Sequence, residues 1–282
     1  MVKRDQRPLP IERACGLLAV SRDTWYRQSR PAPLVCDDLT ELRDRIERLT
    51  LDFPGYGYRR VTKQLQREGW LVNHKRVLGI MRAECLLCQL RRRWVRTTDS
   101  EHGLRVWPNL LRGLTIDGLD QVWVADITYI RLPGGFCYLA AILDAHSRRV
   151  VGWQLSEHID AALALDALDM ALAQRASPAV HHSDRGVQYA CRDYVDRLRS
   201  AGVLVSMSAK GKPRDNAQAE SFFRTLKVEE VYLNDYENTD HARRELGRFM
   251  DDVYNQKRLH SSLGYVPPCE FEANLAAESQ RA

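Results

Sequence analysis

The chain of 282 residues has no run of about 20 apolar residues, the length that a membrane-spanning helix requires. No apolar run follows the N-terminal methionine, so the sequence does not predict a secretory signal. Its seven cysteines lack the spacing of a disulfide framework, and repeats and low-complexity tracts are missing. We therefore expect a globular protein of the cytoplasm, and a hydrophobic fraction of 44% is ordinary for that class.

One cysteine pair, Cys85 and Cys88, has a spacing found in zinc sites. A structural zinc site also needs a second pair of ligands at a suitable distance, and neither His74 nor His102 supplies a recognisable one. We expect reduced thiols near a helix end rather than a metal centre.

Positive charge is concentrated in the first part of the chain. Residues 1–114 contain 23 Lys and Arg against 13 Asp and Glu, whereas residues 115–282 contain 19 against 24. This asymmetry indicates a module that binds nucleic acid, joined to a more acidic region with another task.

The basic part has the periodicity of helices. Residues 10–29 predict two short helices around a turn, with Arg22 and Arg27 on the second one. This pattern is typical of a DNA-binding helix-turn-helix, and a plain helical hairpin has the same pattern.

A second helical module follows an amphipathic helix at 37–50. Its two helices, at 59–68 and 73–84, form either a second helix-turn-helix or a spacer that contacts phosphates only. Its candidate DNA-contacting residues are Arg59, Arg60, Lys75 and Arg76. The basic segment that begins at Arg91 has the composition of a linker that follows a phosphate backbone, or of a solvated connection.

From residue 121 onward, strands rich in β-branched and aromatic residues alternate with helices. Three strands are predicted in succession, followed by helix, strand, helix, strand and helix. The strands are expected at 122–130, 136–144, 150–155, 179–182 and 203–207. This order predicts an α/β fold with a mixed sheet flanked by helices.

Three acidic residues stand out by their positions in these elements. Asp126 lies in the middle of an apolar strand, where an ionised carboxylate is costly unless it is compensated. Asp184 directly follows a strand, and Glu220 lies near the start of a helix. Carboxylate oxygens suit Mg²⁺, and two such ions support phosphodiester chemistry.

Basic residues surround these acids in the sequence. Lys210, Lys212 and Arg214 form a loop before the Glu220 helix, and Arg224 and Lys227 follow Glu220 at helical spacing. An ordinary Glu220–Arg224 salt bridge is the simpler interpretation of that pair alone. The whole cluster favours a polyanionic substrate.

Four motifs resemble those of one known family. They are Trp123 to Tyr129, His182 to Tyr189, Asp215 to Phe223 and Tyr254 to Tyr265, with 35 residues between Asp184 and Glu220. The chain resembles transposases of the insertion sequence three family, specifically their second-frame catalytic product, within the superfamily of retroviral integrases. The segment from Tyr56 to Arg82 resembles the family's second helical DNA-binding module.

The resemblance implies a ribonuclease-H-like core that carries Asp126, Asp184 and Glu220 as catalytic and metal-binding residues. It implies two Mg²⁺ ions, with Mn²⁺ as an alternative, and double-stranded DNA as partner, both the terminal inverted repeats and the target. It also implies a first-frame partner product and assembly into homo-oligomers on DNA. We expect Arg258 and His260 of the last motif to contact DNA as well.

The domain division that follows has five parts. They are a helix-turn-helix segment at 1–34, a second helical module at 35–90, a basic linker at 91–117, a catalytic core at 118–232 and a helical extension at 233–282. The reaction expected of this arrangement is cleavage at an element end, then strand transfer by the freed 3′-hydroxyl. A structure-specific nuclease on the same core and a repressor that kept the fold remain as alternatives.

Overall fold

The computed structural model describes residues 11–17, 37–88, 104–209 and 213–280. The chain divides into two compact units, residues 1–47 and 48–282. The second unit contains residues 48–90 of the second helical module together with the core and the C-terminal extension. The five-part division stays a prediction. The second helix of the first predicted helix-turn-helix and residues 91–103 of the predicted linker lie outside the described residues.

Four helices precede the sheet among the described residues. They are α1 (Ile11–Leu17), α2 (Asp37–Asp52), α3 (Tyr58–Arg67) and α4 (His74–Ala83). Leu65 of α3 and Val77 and Met81 of α4 are fully buried, and burying such side chains holds the helix pair together. The side chain of Asn73 accepts a hydrogen bond from the Lys75 amide and caps α4.

The predicted mixed sheet of five strands is confirmed. The strands are β1 (Val122–Leu132), β2 (Gly135–Asp144), β3 (Val150–Ser156), β4 (Val180–Ser183) and β5 (Leu204–Met207). Their order across the sheet is β3-β2-β1-β4-β5. The first three strands form an antiparallel meander, and β4 and β5 continue the sheet in parallel with β1.

Helices cover both faces of the sheet because side chains alternate along each strand. Val122 and Val124 pack with Phe222 on one face, whereas Trp123 and Ala125 pack with Leu168 on the other. The first face is covered by α8 (Ala217–Leu226) and α9 (Thr239–Arg248). The second is covered by α5 (Ala161–Gln174), α6 (Val187–Ala190) and α7 (Arg192–Ser200).

The C-terminal extension, expected to be helical with its main helix at 240–257, is helical but less regular than that pattern. Helix α9 ends at Arg248, and a π-helical turn continues it over Phe249–Asn255. A second π-helical turn, Lys227–Val231, extends α8, and the chain ends with α10 (Pro268–Ser279). A π-helical turn contains an extra residue, so a 3.6-residue periodicity does not predict it.

At the end of the longer π-helical turn, Asn255 behaves like a strand neighbour. Its side-chain amide donates to the Val150 carbonyl and accepts from the Val150 amide, both at 3.0 Å. The extension is therefore hydrogen-bonded to the first residue of β3, the outermost strand on that side of the sheet.

Candidate active site

Asp126 is the fifth residue of β1 and lies on the face that α8 covers. Its carboxylate accepts a hydrogen bond from the Ile127 amide at 2.8 Å. The residues on either side of it in the strand are apolar, and Asp126 itself is only partly exposed. The strand therefore holds an acidic group where water solvates it poorly.

Asp184 follows the end of β4, the parallel neighbour of β1. The register pairs Val122 with Val180 and Val124 with His182. Asp126 and Asp184 each follow two residues after the second of these pairs. The Asp184 carboxylate accepts from the Gly186 amide at 2.8 Å. A Cβ atom on Gly186 would lie 3.0 Å from that carboxylate oxygen, so this tight turn favours glycine.

Glu220 lies in the first turn of α8 and is exposed. The start of that helix is attached to β1, because the buried side chain of Asn216 donates to the Ala125 carbonyl at 3.0 Å. Ala125 immediately precedes Asp126, so one hydrogen bond connects the chain next to one acid with the turn that carries another.

The three carboxylates act on one another electrostatically. The pKa of Asp126 is raised to about 8, first by burial, then by the negative charges of Asp184 and Glu220. The Ile127 amide and the Lys227 ammonium oppose this rise. Burial also raises the pKa of Glu220. Like charges held together in this way favour a bound cation.

The geometry does not by itself form a closed metal cage. Within the described ranges, no group of three or more His, Cys, Asp or Glu side chains is close enough to hold a metal ion. The structure brings Asp126, Asp184 and Glu220 into one electrostatic environment, and the sharing of metal ions among them stays a prediction. The described cysteines, Cys85 and Cys88 among them, are free.

Two basic residues of α8 and its π-helical continuation lie on the Glu220 side of the sheet. Lys227 is half-buried, with its ammonium nitrogen 4.6 Å from the centre of the Tyr129 ring. Burial lowers the pKa of Lys227, while the nearby Asp126 raises it. Arg224 is exposed.

The other basic residues predicted to contact DNA fall into three groups. Arg59, Lys75 and Arg76 are exposed on α3 and α4, whereas Arg60 is half-buried and its Nε donates to the Leu259 carbonyl at 3.1 Å. The second group lies outside the described residues or side chains and consists of Arg22, Arg27, Lys210, Lys212 and Arg214. Arg258 and His260 form the third group, because both are buried.

The expectation for Arg258 and His260 is therefore corrected. The Arg258 side chain is 4% exposed and already paired with the Glu229 carboxylate at 2.7 and 2.8 Å. Burial and the neighbouring arginines lower the pKa of His260 to about 2, so its ring is neutral. A buried, paired guanidinium and a buried neutral imidazole cannot contact a phosphate backbone in this structure. Residue type alone suggested a basic surface that the fold places inside.

Several residues that support the site were not identified from the sequence. The ring of His182 bonds the hydroxyls of Ser206 at 2.8 Å and Ser208 at 3.1 Å, and burial lowers its pKa to about 4. Asp215 accepts from the Ala209 amide at 3.0 Å and connects the two ends of the basic loop. Such contacts join residues distant in sequence, and residue spacing does not indicate them.

Comparisons with known proteins agree with this arrangement. Integrase core domain families match residues 118–213 and 201–268, and an HTH-like domain family matches residues 37–94. A ribonuclease-H-like core of this kind, with a helix-turn-helix module before it, defines a polynucleotidyl transferase of the class named for its two aspartates and one glutamate.

Individual relatives give a more specific result. The chain is 35% identical to "Transposase InsF for insertion sequence IS3A" of Escherichia coli (strain K12), over 98% of both chains. It is also 35% identical to "Insertion element IS600 uncharacterized 31 kDa protein" of Shigella sonnei, over 91% of this chain and 96% of that one. The chain belongs to the IS3 family of transposases, which carry out DNA transposition.

Among solved structures, the catalytic core domain of BIV integrase is similar to this chain. The similarity covers 57% of this chain and 98% of the integrase chain. Its sequence identity is 21% and its TM-score is 0.43.

In the described parts of the chain, no helix is both long and apolar enough to cross a membrane.

Proposed function

We propose that Asp126, Asp184 and Glu220 hold two divalent cations, Mg²⁺ or alternatively Mn²⁺, for cleavage at the ends of a mobile element and strand transfer. The observation that carries this proposal is the placement of the acids: Asp126 and Asp184 follow the same register on two neighbouring parallel strands, and Asn216 attaches the start of the Glu220 helix to the carbonyl next to Asp126. The pKa of Asp126, raised by burial and then by the charges of Asp184 and Glu220, agrees with this placement.

The donor set fits a hard cation. Three carboxylates supply oxygen ligands, which Mg²⁺ prefers, and the described residues near them add no thiolate that would favour zinc. Two bound divalent cations would activate the attacking oxygen and stabilise the leaving oxygen of a phosphodiester. Water and the freed 3′-hydroxyl are the two nucleophiles of the proposed reaction.

The protein's own groups have positioning tasks in this scheme. The Ile127 and Gly186 amides orient two of the carboxylates, and Asn216 holds the start of α8 against β1. Arg224 and Lys227 follow Glu220 on the same helical segment, where cations attract the phosphates next to the scissile bond.

DNA recognition is proposed for the exposed basic residues of α3 and α4. Arg59, Lys75 and Arg76 present cations to solvent, as a helix pair that docks on a phosphate backbone requires. The DNA would be the terminal inverted repeats and the target. A first-frame product and further copies of this chain are the proposed protein partners.

The test is cleavage of a supercoiled plasmid that carries both element ends, with Mg²⁺ or Mn²⁺ and the first-frame product supplied. Glu220→Gln removes one negative charge and keeps the side-chain size. We expect it to reduce cleavage and joining by at least about 100-fold, because charge stabilisation at the reacting phosphate is lost. Binding of the end DNA should be unchanged.

Glu237→Gln is the matched control, since Glu237 is an exposed glutamate outside the site. It should cut like the wild type. A Glu220→Gln chain that cuts at the wild-type rate would refute the three-carboxylate mechanism. A wild-type chain that binds ends but never cuts them would favour a repressor.

A further inference from the structure

The motif near the C-terminus that contains Arg258 forms a buried connection with two distant parts of the chain. We call it the Glu229–Arg258 junction, and it consists of Gly55, Tyr56, Glu229, Arg258 and Leu259. These residues come from the loop before α3, the π-helical turn after α8 and the segment after the second π-helical turn.

The centre of the junction is a two-pronged ion pair. Arg258 donates from Nε and one terminal nitrogen to the two Glu229 oxygens at 2.8 and 2.7 Å. The two side chains are 4% and 3% exposed. In such a dry environment, a shifted partner would leave an unpaired buried charge, so the pair tolerates one geometry.

Tyr56 connects the helical module to this pair. Its ring is 1% exposed, and the Arg258 guanidinium lies 5.9 Å from the ring centre. Its hydroxyl accepts a hydrogen bond from the Leu259 amide at 2.6 Å. Arg60, in the first turn of α3, donates to the carbonyl of the same Leu259. The start of the helical module is therefore hydrogen-bonded to both backbone groups of one residue, the amide and the carbonyl of Leu259.

Gly55 shows how closely the loop approaches the pair. A Cβ atom there would lie 2.6 Å from Cγ and Cδ of Glu229 and nearer still to one carboxylate oxygen. Gly57, two residues later, has no atom within 4 Å of an added Cβ. The loop thus requires glycine at residue 55 and does not require it at residue 57.

The location of Glu229 relates this junction to the active site. Glu220 and Glu229 lie on one continuous helical segment, formed by α8 and its π-helical turn. The same segment carries an active-site carboxylate at its start and the junction carboxylate near its end. Any tilt of the helical module at the junction would shift the position of its exposed basic residues relative to Glu220.

We infer that Glu229 and Arg258 are positioning residues: the junction fixes the helical DNA-binding module against the helix that carries Glu220, so that bound DNA reaches the active site in register. The inference rests on the proposed function. A buried ion pair adds little net stability compared with an apolar pair, and its advantage here is one defined geometry.

The test compares Gly55→Ala with Gly57→Ala in the full chain, with the first-frame product supplied. Gly55→Ala pushes the Glu229 carboxylate off Arg258 without removing a charge. We expect it to slow single-turnover cleavage at saturating end DNA by about 100-fold, since a misplacement of about 1 Å far from the chemistry can cost that much. Its dissociation constant for end DNA should stay within about threefold, because phosphate contacts on the module's surface are kept.

Gly57→Ala should match the wild type in both measurements. Tyr56→Phe is the second variant, since it keeps the ring and removes only the acceptor of the Leu259 amide. It should also slow cleavage more than it weakens binding. Both rates are measured at a temperature where thermal melts show each variant fully folded, so loss of folded protein cannot produce the difference.

Three outcomes overturn the inference. The inference is wrong if Gly55→Ala cuts at the wild-type rate. It is also wrong if Gly55→Ala loses binding and cleavage in parallel. If Gly55→Ala does not fold, wild-type cleavage by Tyr56→Phe overturns it. A wild-type chain that never cuts contradicts the proposed function itself, whereas a wild type that cuts together with an equally active Gly55→Ala contradicts the junction's role alone.

Discussion

Two glutamates on one helical segment have opposite environments. Glu220 is exposed at the start of α8, where its charge helps to raise the pKa of Asp126, whereas Glu229 is buried in the π-helical turn with Arg258 as a two-pronged partner. The charge of Glu229 is neutralised within the fold, and we propose that a bound metal ion neutralises the charge of Glu220. Unneutralised charge marks a candidate site, and matched charge marks a joint between parts of the structure.

The same contrast holds for the groups around each glutamate. Near Glu220, burial and like charges raise the pKa of Asp126. Near Glu229, burial and arginine charges lower the pKa of His260. The environment of Asp126 favours a bound proton, whereas the environment of His260 excludes one. The predictions below test this difference, from the largest expected effect to the smallest.

The largest effect on stability is expected from Glu229→Gln. It leaves the Arg258 guanidinium buried without a counter-charge, which should lower the free energy of unfolding by about 3–5 kcal/mol. Glu220→Gln in metal-free protein should leave that free energy unchanged or higher, because it removes a negative charge that opposes the ionisation of Asp126. Urea unfolding with a chelator present measures both. Equal losses in the two variants would remove the distinction between the regions.

The pH dependence of stability should run in opposite directions in the two regions. His260 is neutral in the folded protein, with its pKa lowered to about 2, whereas the unfolded chain binds a proton below its ordinary pKa of 6.5. The free energy of unfolding therefore falls as pH falls below 6.5, by about 1.4 kcal/mol per pH unit for one such group. His260→Gln should flatten this acid slope by one proton in urea unfolding between pH 6.5 and pH 4.5. An unchanged slope would show that His260 is not the group responsible.

Asp126 should produce the reverse trend in metal-free protein. Its pKa is about 8 when folded and 3.8 ordinarily, so the unfolded state loses its proton first as pH rises. The free energy of unfolding therefore falls between about pH 4 and pH 8, and Asp126→Asn removes that fall. Added Mg²⁺ should reduce it too. Stability that stays constant over this range without metal would contradict the raised pKa.

The smallest effect is expected at the exposed counterpart of the buried pair. Arg67 of α3 contacts Glu270 of α10 at 2.6 and 3.0 Å, with both side chains 38% exposed. Arg67→Ala should change the free energy of unfolding by less than about 1 kcal/mol, because solvent screens such a pair. It should leave cleavage at the wild-type rate. A loss as large as that of Glu229→Gln would show that burial is not what distinguishes the two pairs.

Much of the core was predictable from local patterns. Runs rich in β-branched and aromatic residues indicated the five strands, and the placement of Asp126, Asp184 and Glu220 relative to these elements agrees with the structure. The family motifs indicated the integrase core that the comparisons confirm. The π-helical turns were not predictable, because their extra residue departs from the 3.6-residue periodicity. The Asn255 contact with β3 was not predictable either, because it depends on one side chain meeting a backbone distant in sequence.

By itself, the sequence determined the order of strands and helices, the family and the acids placed at the core, because periodicity and motif spacing are local properties of the chain. Only the tertiary structure decided which charges are neutralised. Arg59 and Arg258 are both arginines with basic or polar neighbours in the sequence. Arg59 is exposed, whereas Arg258 is buried and paired with Glu229. The cost of burying a charge depends on the partner it meets. The partner of Arg258 lies 29 residues away in the sequence, whereas the exposed Arg59 is solvated by water.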